Sequence, residues 1–212
     1  RLMNILAGHH AHDSNICYLV DGEVKYWNKL ERLTGIKRDD ADPASILMNP
    51  EVRNIIDFST LDYTVYDNPW KLFEGETTWQ RYFSDKPYSE WNDHHLSHAA
   101  NAFYGSGFDK SYVLVVDRNG SVDVEGDKFK GFQTETLYLC EYPNKFEVVF
   151  SNKGWVGINS KYCFISERCG IDTMDNGKTM GLSAYGDRDI DIDYTRHNNK
   201  FVAKSTKMLA ML

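Results

Sequence analysis

Two neighbouring stretches of the chain decide its fold: DHHLSHAANAFYG at residues 93–105 and YVLVVDRNGS at residues 112–121. The first is alanine-rich and predicts a helix that ends at Gly105, whereas the second is a β-branched, apolar run that ends in a polar elbow. A similar strand and elbow open the chain, where NILAG at 4–8 leads into HHAHD at 9–13. The sequence therefore predicts an α/β protein in which a strand–elbow unit occurs twice.

Each elbow is followed by segments that predict an antiparallel meander. After the first elbow, strands are expected at 14–20 and Glu23–Lys29, joined by the turn sequence Asp21-Gly22. After the second, strands are expected at 131–142 and 145–151, followed by a helix at Ile158–Arg168. A further helix is predicted at 43–58, with Asp42 as its cap and Pro43 in its first turn, and a strand at 88–92.

Composition excludes several classes of protein. The 212 residues carry a net charge of −7, which argues against a basic surface for non-specific nucleic-acid binding. No apolar run is long enough to span a bilayer, and no signal peptide is recognisable at the N-terminus. The four cysteines lack C-x-x-C spacing and predict free thiols, so we expect a reducing, cytoplasmic location.

The sharpest chemical signal is the pair His94 and His98. Residues four apart lie on one face of a helix, so both imidazoles can bind one metal ion. Asp117, at the end of the following strand, can supply an oxygen ligand. From spacing alone, a solvated, histidine-rich helix start is an equally good interpretation.

Three histidines and an aspartate occur together in the first elbow: His9, His10, His12 and Asp13. Such a cluster can bind phosphate, bind a metal, or provide a general base. The metallo-hydrolase pattern H-x-H-x-D-H is not matched, because Ser14 and Asn15 stand where it needs Asp and His. A plain polar turn at the end of a strand stays open as the alternative.

Two further stretches have weaker signals. The mixed charges at 31–39 are typical of a solvated surface. The stretch DNGKTMGLSAYG at 175–186 has glycines that permit close backbone approach to a ligand and Lys178 to meet an anion. It lacks the order of a P-loop, and taken alone it is more typical of an ordinary loop.

These stretches, in this order, resemble the O-carbamoyltransferases that act on nodulation factors and aminoglycoside antibiotics. The family motifs H-D-[SA], E-x-E-R-F-x-R-x-K-H-D, H-H-x-x-H-A-x-x-A-F, D-G-x-G and G-K-x-M-G-L-[AS]-x-Y-G are matched, fully or in part, at 12–14, 30–39, 94–103, 117–120 and 177–186. Each motif is moderate alone, and the ordered set spans nearly the whole chain.

The resemblance implies an actin-like ATPase fold (ASKHA, ribonuclease H-like), with a first lobe at 1–108 and the start of a second at 109–212. It implies a divalent metal held by His94, His98 and Asp117, with a further Asp from a later region; Fe²⁺ is favoured over Zn²⁺, and both stay open. The family activates carbamoyl phosphate with ATP and Mg²⁺, releases pyrophosphate, and passes the carbamoyl group of a carbamoyladenylate to an acceptor hydroxyl.

The resemblance also assigns roles to individual residues. His12, held by Asp13, matches the histidine beside the acceptor and is the expected base. Contacts to ATP or the carbamoyladenylate are implied for Lys37, Gly120, Ser121, Lys178 and Gly181. The chain departs from the family at Arg118, where the motif has Gly, and at Leu33 and Gly35, where it has Phe and Arg.

Three other functions compete: a tRNA threonylcarbamoyl transferase-like protein, a metal-dependent hydrolase, and an inactive binding module. The chain begins with Arg1 and stops within 205–212, which has the apolar spacing of a helix. The family's later glycine-rich stretch, which binds adenosine, is not recognisable. We therefore expect the chain to be part of a longer enzyme and inactive in isolation.

Overall fold

The computed structural model describes residues 3–68, 77–91, 93–125, 128–154, 157–186, 194–197 and 200–203. The chain divides into two compact units, 1–93 and 94–212. The sequence-based division at residue 108 placed the helix that begins at His94 in the first unit. It belongs to the second, because its apolar face packs on that unit's sheet.

The first unit contains a five-stranded mixed sheet of order β3-β2-β1-β4-β5. Strands β1 to β3 form the predicted antiparallel meander, and β4 and β5 extend it in parallel beside β1. The strands are β1 (Asn4–His9), β2 (Asn15–Val20), β3 (Glu23–Lys29), β4 (Tyr63–Asp67) and β5 (Tyr88–Trp91). Strand β4 lies in a region that the sequence left unassigned.

One face of this sheet is buried in the core of the first unit. Alternate residues of β1 and β2, Leu6 and Ile16 among them, are fully buried. Trp79, also fully buried, packs with its ring centroid 4.8 Å from that of Phe83. The described residues of this unit also form the short helices α1 (Glu31–Thr34), α2 (Pro50–Ile55) and α3 (Thr78–Tyr82).

The single helix predicted at 43–58 is wrong. The structure has a 3₁₀ helix at Pro43–Met48, helix α2, and a second 3₁₀ turn at Phe58–Thr60. Pro50 interrupts the helix because it lacks an N–H and excludes helical conformation at the preceding Asn49, which is extended and caps α2. The predicted cap is confirmed: Asp42 accepts a hydrogen bond from the Ala44 amide.

The second unit contains a four-stranded antiparallel sheet built around β8. Its strands are β6 (Lys110–Val116), β7 (Val122–Glu125), β8 (Lys128–Glu141) and β9 (Lys145–Gly154). Strand β9 pairs along one edge of β8, and β6 and β7 pair with successive parts of the other edge. The sequence predicted β6, β8 and β9 as a three-stranded meander and missed β7. The second elbow does not reverse the chain, because β7 continues along the same edge as β6.

Helix α4 (His94–Ser106) covers one face of this sheet. Ala99 and Phe103 form its buried stripe and pack with Val115, Tyr138 and Cys140. The predicted helix is confirmed, and it extends one residue past Gly105.

Two further helices follow the sheet: α5 (Ile158–Arg168), as predicted, and α6 (Asn176–Leu182). The prediction of a loop at 175–186 is wrong, because α6 forms within this stretch. The helix packs on α5: Thr179 is buried, and its hydroxyl donates to Ser166 of α5 at 2.7 Å. Strands β10 (Tyr194–His197) and β11 (Lys200–Ala203) form an antiparallel pair. The helix predicted at 205–212 lies outside the described residues. No helix among the described residues has the length and apolarity needed to cross a membrane.

The packing of Trp79 makes Gly8 of β1 sensitive to substitution. A Cβ on Gly8 would lie 2.6 Å from Cζ3 of Trp79, so Gly8→Ala overpacks the core. We expect this change to lower the free energy of unfolding of the first unit by about 1–3 kcal/mol, measured by urea denaturation with tryptophan fluorescence.

The control for this substitution is Gly105→Ala. Gly105 lies within α4, where no atom is within 4 Å of an added Cβ, so alanine should stabilise the helix by about 0.5–1 kcal/mol. A Gly8→Ala variant as stable as the wild type would contradict the placement of Trp79 against β1.

Candidate metal centre

The elbow at 117–121 is attached to both the sheet and helix α4. Its backbone stays in register with β8, with the Asp117 amide donating to Thr134 and the Gly120 amide to Gln133, at 2.8 and 2.7 Å. At its other end, Ser121 Oγ accepts a hydrogen bond from the His94 amide at 3.0 Å. The hydroxyl thereby satisfies one of the amide groups that lack a partner within the first turn of a helix. These bonds fix the carboxylate at the end of β6 beside the first turn of α4.

Gly120 allows the elbow to approach α4 closely. A Cβ at this position would lie 2.4 Å from Nε2 of His95, which is fully buried. The ring of His95 is held from its other nitrogen, because Nδ1 lies 2.7 Å from the hydroxyl of Thr136 on β8. No side chain other than glycine's hydrogen fits between the elbow and this ring.

The three predicted ligands converge. Nε2 of His94 lies 2.7 Å from Oδ2 of Asp117 and 3.1 Å from Nε2 of His98. Nε2 of His98 lies 3.6 Å from Oδ2 of Asp117, so the three atoms form a triangle. His98 is the more accessible histidine, with 54% of its side chain exposed against 15% for His94. The triangle therefore has an open side at His98.

Asp117 is held as a carboxylate. Burial alone raises its pKa, but hydrogen bonds with His94 and His98, the charge of His94 and a hydrogen bond from the Arg118 amide outweigh burial, so the pKa of this carboxyl lies well below its usual range. The Arg118 amide donates to Oδ1 at 2.6 Å, which leaves Oδ2 directed at the imidazoles. The residue thus carries a full negative charge where a cation would sit.

This donor set fits a divalent transition metal. Metal–ligand bonds of about 2.0–2.2 Å place two ligand atoms about 3 Å apart at a right angle and about 3.4 Å apart at a tetrahedral angle. The observed separations of 2.7, 3.1 and 3.6 Å span these values. Three ligand atoms that meet on one side leave the opposite side for further ligands.

Comparison with known proteins agrees with the motifs in this region. A sequence model of the family described as Carbamoyltransferase N-terminus matches residues 82–206, which is more than half of the chain and includes all three converging side chains.

The chain belongs to the carbamoyltransferase family.

Part of the chain is also similar to a curated protein. The chain is similar to the nodulation protein NolNO of Sinorhizobium fredii (strain NBRC 101917 / NGR234), with 33% identity over 94 residues. The alignment covers 44% of this chain and 12% of the relative, so the chain spans a small part of the length of that protein.

The other predicted residues of the second unit lie in two places. Gly120 and Ser121 lie in the elbow beside the three converging side chains, where one contacts His95 and the other caps α4. Lys178 and Gly181 lie on α6, which packs on α5. Lys178 forms an ion pair with Asp175 at 2.7 Å, and Gly181 has no atom within 4 Å of an added Cβ.

The predicted residues of the first unit lie around its own elbow. His12 Nδ1 lies 3.0 Å from one oxygen of Asp13, and the ammonium of Lys29 lies 2.9 Å from the other. Burial raises the pKa of Asp13, but its bonds with His12 and Lys29 bring the net pKa below the usual value. Lys37 lies in an exposed turn whose neighbour Asp39 accepts a hydrogen bond from the Ser14 amide of the elbow.

Sequence reasoning missed two buried polar residues that position the second unit. His95 was treated only as part of a histidine-rich motif, although it anchors the elbow. The carboxylate of Glu135 on β8 accepts from the Ile158 amide and from the Asn152 side chain, both at 2.6 Å, and so ties α5 to the sheet. Its signal in the sequence was a charged residue within the predicted strand 131–142.

The geometry predicts one metal site among the described residues. Co²⁺ should bind with a stoichiometry of one and give the visible absorption of a histidine-ligated ion. His94→Asn and Asp117→Asn should each weaken Co²⁺ binding at least about 100-fold. Loss of a residue that only hydrogen-bonds to a ligand typically lowers metal affinity about 10–100-fold, and loss of a ligand itself should cost more.

The matched control is Asn101→Ala. Asn101 is an exposed residue on the same helix, about one turn beyond His98, and its loss should leave Co²⁺ affinity unchanged. Equal affinity in the wild type, His94→Asn and Asp117→Asn would show that the three side chains do not form a metal site.

Proposed function

We propose that this chain provides the metal-bearing N-terminal part of an ATP-dependent O-carbamoyltransferase. The observation that carries the proposal is the convergence of His94, His98 and Asp117 within the segment that matches the carbamoyltransferase N-terminus. Their ligand atoms all lie within 4.8 Å of one another. The reaction joins a carbamoyl group from carbamoyl phosphate to an acceptor hydroxyl through a carbamoyladenylate.

The proposed fold is the actin-like ATPase fold. In support, each unit contains a strand, a polar elbow and two antiparallel strands: β1, β2 and β3 in the first, and β6, β8 and β9 in the second. In the second unit, strand β7 is added within the connection that follows the elbow. In actin-like ATPases such elbows direct backbone N–H groups toward bound phosphate.

The proposed metal is Fe²⁺. Two imidazoles and one carboxylate on the same side of an ion are the donor set of many non-haem iron sites, and they also permit Zn²⁺. When bound there, a divalent ion would neutralise charge on phosphoryl oxygens of the nucleotide. Asp117, ionised over the ordinary pH range, provides the negative charge that holds it.

The lysines would contribute to anion binding, together with Mg²⁺ carried by ATP. Lys178 is 69% exposed and paired with Asp175, so a phosphate would have to replace that carboxylate as its partner. Lys37 lies in an exposed turn next to the first elbow. Both can stabilise phosphoryl charge electrostatically once the nucleotide excludes water.

The acceptor hydroxyl is proposed to reach the first elbow. The family motif places His12 beside the acceptor and makes it the expected base, with Asp13 as its partner. The acceptor itself is a small molecule, sugar or nucleotide that carries a hydroxyl.

The first half of the reaction can be tested without knowledge of the acceptor. Exchange of labelled pyrophosphate into ATP should require carbamoyl phosphate and added Fe²⁺. It should be measured on the 212-residue chain and on the longer protein of which we expect it to be part. The longer protein should catalyse exchange, and His94→Asn should reduce its rate by at least about 100-fold, since electrostatic stabilisation of this size is typical of such sites.

Two results would contradict the proposal. Exchange that proceeds equally well without carbamoyl phosphate would mean that the carbamoyl group is not the activated species. A metal-loaded longer protein with no exchange would favour a binding module. Exchange by the 212-residue chain alone would contradict only the expectation that the isolated chain is inactive.

A further inference from the structure

Helices α5 and α6 form a packed pair that meets the second sheet at the amino end of α5. The buried residues of α5 both contact α6. Cys163 accepts a hydrogen bond from the Asn176 side chain at 3.1 Å. Ser166 accepts one from the Thr179 hydroxyl at 2.7 Å. The buried side of α5 therefore faces α6, whereas the first amide of α5 donates to Glu135 on β8.

Glu135 is a buried carboxylate whose two oxygens are both engaged. It is 7% exposed. Oε1 accepts from the Ile158 amide at 2.6 Å. Oε2 accepts from the Asn152 side chain at 2.6 Å and from the Thr134 hydroxyl at 2.8 Å. One oxygen is thus directed at the first turn of α5, where amides lack partners within the helix, and the other is fixed by strands β8 and β9.

Gly157 allows α5 to begin directly against this carboxylate. A Cβ on Gly157 would lie 2.5 Å from Oε1 of Glu135 and 2.5 Å from Cβ of Thr134. A larger residue fits there only if the start of α5 moves away from the sheet. The close approach therefore fixes the distance between α5 and β8, as Gly120 fixes the distance between the elbow and α4.

Glu135 lies in the part of β8 that also holds the metal-binding elbow. The carbonyl of the preceding residue, Thr134, accepts the Asp117 amide at 2.8 Å. The side chains of Glu135 and Thr136 point to opposite faces of the sheet, because neighbours in a strand alternate. Thr136 contacts His95 of α4 on one face, and Glu135 contacts α5 on the other. A short stretch of one strand therefore connects the elbow, α4 and α5.

We propose that Glu135 is a positioning residue that sets where α5 and α6 hold Lys178 relative to the metal ligands. The inference rests on the proposed function, in which Lys178 of α6 binds phosphate and the three converging side chains bind the metal. Glu135 acts only through α5. Loss of its bonds releases the helix pair from the sheet, whereas the elbow keeps its own bonds to α4. Metal binding and ATP binding should therefore respond differently when Glu135 is replaced.

Hydrogen–deuterium exchange in the 212-residue chain tests this anchoring without any activity. Glutamine has one acceptor oxygen where Glu135 has two, so Glu135→Gln loses either the bond from Ile158 or the bond from Asn152. Amides at 158–182 should exchange at least about 10-fold faster in this variant, and those of α4 should keep their wild-type rates. Equal rates at 158–182 in the wild type and the variant would overturn the inference.

A second variant acts on the same contact from the helix side, and a control acts elsewhere on β8. Gly157→Ala should raise amide exchange at 158–182 as Glu135→Gln does, because the added Cβ displaces the start of α5. The matched control is Glu141→Gln, since the Glu141 side chain is 43% exposed and pairs with Lys110. It should leave amide exchange at 158–182 unchanged. A rise as large in this control would overturn the inference, because any change in β8 would then loosen α5.

Kinetics of the longer protein test the link between Glu135 and Lys178. In pyrophosphate exchange, Glu135→Gln should lower kcat/KM for ATP by about 10–100-fold, a size that misplacement of a binding group can cause. Its Kd for Co²⁺ should equal that of the wild type. Lys178→Ala should also lower kcat/KM for ATP. The double variant should lose little beyond Lys178→Ala, because residues that act through one another have non-additive effects.

The outcomes separate the two proposals. A wild-type longer protein without pyrophosphate exchange contradicts the proposed function, and the amide exchange rates then still judge whether Glu135 holds α5. In an active protein, additive losses in the double variant overturn the inference and leave the proposed function intact, because Glu135 would then act by a route other than Lys178. An unchanged kcat/KM in Glu135→Gln also overturns it. So does an equal fall of Co²⁺ affinity and kcat/KM, since Glu135 would then hold the elbow.

Discussion

The contact between Gly120 and the buried ring of His95 is the constraint on which the candidate metal centre depends. Nδ1 of His95 is held by the hydroxyl of Thr136 in the sheet, and Gly120 lies against the Nε2 side of the same ring. The first turn of α4 and the end of β6 are consequently held at a distance that a larger residue at 120 would increase. His94 directly precedes His95, and Asp117 lies three residues before Gly120. Because these short connections tie both residues to the contact, their side chains are held close to each other.

That close approach has an electrostatic consequence. A carboxylate and two imidazole nitrogens lie within a few ångströms of one another, and Asp117 is partly buried. Without a metal, the charge of Asp117 must be balanced by hydrogen bonds from the imidazoles and from the Arg118 amide. A divalent cation would replace the imidazole bonds with metal–ligand bonds of similar geometry, so little rearrangement would accompany its binding. Preorganisation of this kind lowers the cost of binding.

The sequence predicted the parts of this protein that depend on local patterns. Period-two strands, the Asp21-Gly22 turn, the Asp42 cap and the histidine spacing of α4 all express interactions between residues close in sequence. The failures have different causes. Pro50 was overlooked as a breaker within a periodic apolar segment, and α6 was hidden by its glycines, since burial of Thr179 against α5 offsets their low helix propensity. The pairing of β4 with β1 and the contact between His9 and Asp67 could not be predicted, because the residues involved are 58 positions apart and one sequence does not show which distant segments pair.

The two units use the same local element to prepare different chemistry. In each, a strand ends in a polar elbow, and an aspartate approaches a histidine to 2.7 Å. Asp117 faces two imidazoles through their Nε2 atoms, so the lone pairs of both rings and the carboxylate are directed at one point, which suits a cation. Asp67 faces one imidazole through Nδ1, so the remaining nitrogen of that ring points away from the carboxylate. Which ring nitrogen meets the carboxylate therefore separates the two arrangements: the Nε2 contacts direct His94 and His98 at one point, whereas His9 meets Asp67 through Nδ1.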